Sequence, residues 1–497
     1  MLTIGYDLGS SFIKAALVDS ATGEAVATAS FPDSEMAIDA QRPGWAEQRP
    51  EAWWEGIVQV TRRLAAVSGV PVRDVGALGV SYQMHGLVLV GRDGRPLRPA
   101  IIWCDSRATE IGREAFGMLG EGRCLHEMLN SPGNFTASKL RWVKLHEPAL
   151  YEQAWKAMLP GDFIALKMTG ECTTTVSGLS EGILWNFREN GIATHLMTYY
   201  EIRNGLIPGV VPTMGLQGHL TPVAAEELGL TAGIPLAYRA GDQPNNAFAL
   251  NVLQPGEIAA TAGTSGVVYA VSDSLACDSR SRVNAFAHVN HTPADPRIGI
   301  LLCINGTGIA NSWIKKLTSG SSGNYEEMNE LASAAPTGAG GISVIPFGNG
   351  AERMLADRDV GAHVLGVQFN AHGTGEIIRA VHEGVAFAFV YGIRILNSIG
   401  IMPGILRAGA GNMFQSPVFA QSLATVAGVV IELYNTDGAQ GAARAAAVGA
   451  GAVSTPAEAF AGLKRIAAIE PSPEDTACLD AYRLWEQRLN AILESSS

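Results

Sequence analysis

Hydrophobic and polar positions alternate from the first residues of the chain. Leu2, Ile4 and Tyr6 fall on one face of an extended segment, and Ile13, Ala15 and Leu17 resume the alternation after the small-residue turn Asp7-Leu8-Gly9-Ser10-Ser11. This pattern predicts a β-hairpin, followed by a third strand over residues 25–31. Arg49-Pro50-Glu51 opens a helix running to residue 66, because proline is tolerated in a first turn, and Trp54, Ile57, Val58 and Val60 are placed for burial. Residues 75–82 read as a strand ending in Gln83-Met84-His85-Gly86, and residues 87–90 and 100–103 are expected to continue the sheet. Helices are predicted over residues 139–147 and from residues 159–162 to 168. A strand over residues 235–240 leads to Asp242, with Pro244 permitting a helix to start there.

The second half begins like the first. Residues 257–270, EIAATAGTSGVVYA, form an apolar run, a Gly-Thr-Ser turn and a second apolar run. Gly9-Ser10-Ser11 thus matches Gly263-Thr264-Ser265 about half the chain later, which suggests two related halves. Helices are expected from Asn305 to Leu317, over residues 375–396 and over the alanine-rich residues 439–448. A short strand at residues 405–408 is closed by Gly409-Ala410-Gly411-Asn412, and a terminal helix starts at Asp480. The result is an α/β protein, with the first half reading strand, strand, strand, helix, strand and the second repeating its opening strand, turn and strand. No linker stands out, so the division is placed at residues 1–250 and 251–497.

A chain of 497 residues with 47% hydrophobic content can hold two domains of roughly 250 residues each. A net charge of −12 argues against a nucleic-acid partner, which would need clustered Lys and Arg. The six cysteines are scattered without a C-x-x-C pair, the usage of reduced thiols in a cytoplasmic enzyme. The chain enters a strand at once, leaving no room for a signal peptide, and no apolar run reaches membrane-span length, so no membrane partner is expected.

The chemistry lies in the turns. Glycine lets backbone approach a ligand, and successive N–H groups with hydroxyls can hold phosphate oxygens. Asp7 beside such a cradle stands where a hydrated Mg²⁺ needs a carboxylate. On spacing alone Asp242 is either a helix cap or a base kept ionised by the helix N-terminus. With its two glycine–hydroxyl turns, the chain resembles the FGGY carbohydrate kinases of the actin-like ATPase superfamily over nearly its whole length. That resemblance implies two actin-like (ribonuclease H-like) domains around a central cleft, with ATP and Mg²⁺ as cofactors and a small sugar as acceptor.

The resemblance also implies roles, residue by residue. Asp242 matches the family's catalytic base, with Gln243 beside it. Gln83-Met84-His85-Gly86 is similar to the xylulokinase branch, where Met and His face the ketose. Trp103, with Asp105 and Arg107, resembles the W-x-D-x-R stretch whose indole packs on the sugar. Gly9, Ser10, Ser11, Gly263 and Thr264 are implied as phosphate-binding, and Gly409, Ala410, Gly411 and Asn412 as the loop over adenosine. Asp7 would reach Mg²⁺ through water, and residues 346–353, PFGNGAER, are structural or part of closure. Gly241-Asp242-Gln243 and the lack of an aspartate in residues 176–182 depart from many xylulokinases. The expected activity is phosphorylation of D-xylulose to D-xylulose 5-phosphate. Ribulose, glycerol and gluconate are alternative acceptors; an actin-like ATPase or a sugar-binding module without turnover is the alternative class. A homodimer is compatible with this reading.

Overall fold

The computed structural model describes residues 1–319 and 323–495. Strands β1 (Leu2–Leu8) and β2 (Ile13–Asp19) form the opening antiparallel hairpin, with Leu8 opposite Ile13 and the Gly9 N–H closing on Phe12 O at 3.0 Å. The third strand, β3 (Glu24–Phe31), pairs antiparallel with β2. After helix α1 (Pro50–Ser68), β4 (Val75–Tyr82) returns parallel to β1, and β5 (Leu236–Gly241) lies parallel to β4. The sheet order is β5-β4-β1-β2-β3. β4 is buried along nearly its whole length, as a parallel strand covered on both faces must be. Trp53, Ile57, Val60 and Leu64 bury the inner face of α1. Between β4 and β5 lie α2 (Thr136–His146) and α3 (Val176–Glu181), and β5 runs directly into α4 (Asp242–Ala249).

The second sheet contains β6 (Ile258–Ala262), β7 (Gly266–Ser272), β8 (Asn284–Ala287), β9 (Ile298–Ile304), β10 (Ile405–Gly409), β11 (Val430–Tyr434) and β12 (Arg465–Ile469). Its order is β8-β9-β7-β6-β10-β11-β12. Along β9-β7-β6-β10-β11 the pairings run antiparallel, antiparallel, parallel, parallel, the sequence of directions found along β3-β2-β1-β4-β5. The echo of Gly9 at Gly263 is therefore an echo of topology. Helices α5 (Gly308–Ser319), α6 (Thr374–Ser398) and α7 (Gly438–Gly449) complete this half as needed below.

The halves interlock more than a cut at residue 250 suggests. α7 belongs to the second half but packs on the first sheet, where a Cβ at Gly5 or Gly79 would overlap its backbone. The alanines of α7 permit that approach, and Asn245 Nδ2 donates to Gly438 O at 2.8 Å. The outer edge of β8 is covered by side chains from the first half, which leaves no open strand edge there. Asn130 Nδ2 donates to Ala285 O at 2.5 Å and its Oδ1 accepts from Ala285 N at 3.0 Å. Ser177 Oγ donates to Ala287 O, while Ser180 Oγ accepts from Ala287 N.

One strand expectation is corrected. Val88–Val90 and Ala100–Ile101 do not extend the main sheet; they pair separately, with Lys156–Met158 and Glu47–Gln48. Runs of two or three residues take their partners from tertiary context, which periodicity does not carry. Among the described residues, no helix is long and apolar enough to cross a membrane.

Candidate active site

Asp242 is the first residue of α4, at the C-terminal end of β5, the strand end where open α/β sheets place their sites. Burial, with nearby Asp7 adding to it, raises its pKa to about 7 against the main-chain and side-chain hydrogen bonds from Gln243. A carboxylate titrating there is a base near neutral pH. Asp7, on β1, accepts from Ser81 Oγ at 2.8 Å. Burial pushes Asp7 up, with Asp437 adding to the effect and Ser81 and Lys14 working against it. Asp437 caps α7, accepting from Gln440 N at 2.9 Å. Each half thus brings an aspartate to the start of the helix that follows its last parallel strand, Asp242 in one and Asp437 in the other.

Asp7, Lys14, Asn246, Gly409, Ala410, Gly411, Asn412, Asp437 and Gly438 line one cavity of about 470 Å³, together with β6 residues. Gly263 and Thr264 line a second of about 530 Å³ with Ile309, Asn311, Tyr325, Asn329, Asn412 and Gln415. Ala262 and Asn412 line both, so the two cavities adjoin there, and only the first is lined by residues of both halves. Asn412 lies in the left-handed region at φ 56°, which asparagine tolerates better than most residues. Gly263 O and Thr264 O accept from Gly308 N and Ile309 N at the start of α5, fixing the turn. The larger cavity, about 680 Å³ around Phe31, Met36 and Trp53, holds none of the predicted site residues.

Met84 and His85 follow β4, and Met84 lies against Gly241, next to Asp242 in the chain: a Cβ on Gly241 would fall 2.5 Å from Met84 Cγ and 2.9 Å from Glu181 Oε2. His85 has φ 61° and packs between Phe135 and Phe286, at centroid distances of 4.7 and 5.3 Å. Its Nδ1 faces Glu181 O at 3.0 Å, so Nδ1 carries the proton and Nε2 is left as an acceptor. Burial, with Lys139 adding to it, lowers its pKa to about 3, so the ring is neutral at physiological pH. Trp103 is half exposed, and its Nε1 donates to Ser10 Oγ at 3.3 Å. The Ser10 carbonyl accepts from Gln48 Nε2 at 2.7 Å, so both Trp103 and Gln48 bond to the Gly9–Ser11 turn. Asp105 and Arg107 are buried together in a two-pronged ion pair, with Arg107 over the Trp45 ring; they brace the loop.

Sequence reasoning passed over several neighbours. Phe286 comes from the second half, so both halves enclose His85. Arg353, in the stretch read as structural or part of closure, bridges the halves by donating to Ser281 O and to Ser131 Oγ. Glu352 beside it is buried, accepts from Asn305 N, and is pushed to about 8 by burial. Glu181 is fully buried, and burial holds its carboxyl well above the usual range. Tyr82 is close enough to influence it, yet neither Glu181 oxygen completes a hydrogen bond. Lys14 and Asp437 had one available signal, their positions within the repeated topology; Glu181 and Lys139 had none.

ATP and Mg²⁺ can be tested against these cavities. Mg²⁺ keeps most of its waters and needs one or two carboxylates besides phosphate. Asp7 and Asp242 repel each other electrostatically, an arrangement a cation relieves, and Lys14 adds a cation to the same cavity. Among the described residues there is no cluster of three or more His, Cys, Asp or Glu that would form an all-protein cage. The residues fit a nucleotide-borne, hydrated Mg²⁺.

Comparison with known proteins bears on the family and the fold. The family model described as the FGGY family of carbohydrate kinases, N-terminal domain, matches residues 2–249, and the C-terminal domain of the same family matches residues 258–450. The chain is 30% identical over 452 residues to a xylulose kinase of Escherichia coli K12, covering 90% of each. It superimposes on a crystal structure titled as a xyloylose kinase from Brucella ovis with TM-score 0.90 and 26% identity, covering 100% of both chains. The fold is shared with a gluconate kinase of Lactobacillus acidophilus, at TM-score 0.89 and 20% identity over 99% of each chain.

Proposed function

Because the chain belongs to the FGGY family of carbohydrate kinases, we propose that it transfers the γ-phosphoryl group of ATP to D-xylulose, giving D-xylulose 5-phosphate, with Asp242 as general base. The observation that carries this reading is the contact of Gly241 with Met84, which sets a carboxylate titrating near 7 beside the His85 wall. The names of the relatives favour xylulose, whereas the fold alone is equally compatible with gluconate.

In this account D-xylulose lies against Met84, His85 and Trp103. The His85 Nε2 accepts from one sugar hydroxyl, and the Trp103 indole packs on the carbon skeleton. The nucleotide occupies the adjoining cavities, its phosphates between the Gly9–Ser11 and Gly263–Thr264 turns and its adenosine under Gly409–Asn412. Asp7 would hold the waters of a bound Mg²⁺, which would supply charge neutralisation for the transferring phosphate. Asp242 accepts the proton of the attacking hydroxyl as the O–P bond forms and the bond to ADP breaks. Arg353 and β8, whose Phe286 packs on His85, tie the two halves together near the acceptor.

A coupled ADP-release assay over D-xylulose, D-ribulose, glycerol and gluconate tests the substrate. D-xylulose is expected to give the highest kcat/KM. A higher value for another acceptor would overturn the choice of sugar while leaving the kinase reading intact.

A further inference from the structure

Lys139 lies on α2 with no solvent exposure, beside Leu140 and Val143. A buried ammonium group is costly unless its protons find acceptors. Its Nζ donates to two main-chain carbonyls, His85 O and Ile102 O, each at 2.9 Å. Those carbonyls belong to the two segments that supply the sugar-facing side chains His85 and Trp103. Burial lowers the Lys139 pKa to about 7, with Asp105 opposing the effect. The bonding survives loss of one proton, because a neutral amine still has two N–H groups for two carbonyls.

The two segments need such a tie. They meet through the Leu87–Ile101 backbone pair, at 2.9 and 3.1 Å, but beyond it each chain turns away. His85 is in the left-handed region, which non-glycine residues adopt only when their surroundings hold them there. Its ring is fixed by Glu181 O, Phe135 and Phe286, and its carbonyl by Lys139. We infer that Lys139 is a positioning residue for the acceptor sugar, its ammonium group tying the His85 turn to the Ile102–Trp103 segment and so setting the spacing of the two side chains that grip the substrate. This inference rests on the reading of the chain as a xylulose kinase.

Lys139→Met keeps the aliphatic stem and removes the donors. It is expected to raise KM for D-xylulose about 10-fold or more, since displacements near 1 Å cost up to about 10²-fold, and to change KM for ATP far less. Lys139→Arg, which restores two N–H donors, should recover part of the loss. A folded Lys139→Met with unchanged sugar KM, or with both KM values raised alike, would reduce Lys139 to a packing role. Should Lys139→Met fail to fold, the unmodified protein provides the second measurement. The slowly exchanging ¹⁵N–¹H signal of the Lys139 ammonium at pH 6 should move on adding sugar, and a signal that stays fixed when the sugar is bound overturns the inference. If the unmodified enzyme ignores D-xylulose, the proposed substrate has failed instead, and both measurements are made with the acceptor that the panel identifies.

Discussion

Replacing Asp242 with Asn should make the protein more stable at alkaline pH while destroying its activity. The carboxyl pKa rises from 3.8 to about 7 on folding, chiefly through burial. An acid whose folded-state pKa is raised favours the folded state fully below its unfolded pKa, and that contribution is lost as pH climbs through the folded value. Between pH 4 and 7 the ionisation of Asp242 therefore withdraws up to roughly 4 kcal/mol. Asp242 keeps some solvent contact and the Gln243 hydrogen bonds, so about 1–3 kcal/mol is the realistic range. A carboxamide avoids this cost, and the N-cap of α4 is Gly241 with no side-chain capping bond, so capping does not blur the comparison. The assay is thermal melting of both proteins at pH 5 and pH 8. Larger chains shift less per unit of free energy, roughly 1–2 °C per kcal/mol at this size, so a gain of a few degrees is expected at pH 8 and a much smaller one at pH 5. An Asn variant that melts lower than the wild type at both pH values would refute the reasoning and give the Asp242 carboxylate a structural role in the first turn of α4.

Asp7→Asn should leave low residual activity whose acid limb lies at lower pH than in the wild type, because Asp7 raises the pKa of Asp242; an unmoved limb would mean the two are uncoupled. Thr264→Ala should raise KM for ATP several-fold with little effect on KM for the sugar, as read from initial rates, and the opposite split would place the second turn on the acceptor. Phe286→Ala empties a fully buried site and should cost about 3–5 kcal/mol in a denaturation experiment. It should also raise KM for D-xylulose, because one face of the His85 ring loses its support from the second half; a purely thermal effect would limit Phe286 to packing.

Most of the scaffold was legible because it depends on short-range pattern. The alternation around Asp7 and its echo before Gly263 located both hairpins, and the alanine-rich run at residues 439–448 marked a helix suited to close packing without saying against what. Three things were not legible. The segments at residues 88–90 and 100–101 are too short for periodicity to say which sheet they join. The passage of α7 from the second half onto the first sheet is long-range, and nothing local encodes it. Lys139 and Glu181 are buried charges, and a Lys or Glu in a helical stretch of sequence reads as solvent-facing. Their roles follow only from where the carbonyls of His85 and Ile102, and the backbone of Gly241, come to lie.

The most direct test of the account is the pH dependence of kcat/KM for D-xylulose in the wild type and in Asp242→Asn. His85 stays neutral across the range and Lys139 keeps its two bonds when deprotonated, so the limb near neutrality belongs to Asp242. The wild-type rate should rise with pH through an apparent pKa near 7 and then level off. In the variant the limb should vanish and the rate should fall by about 10² or more, the usual contribution of a positioned base. A variant that keeps the limb, or turns over at near wild-type rate, would contradict the assignment of Asp242 as the base.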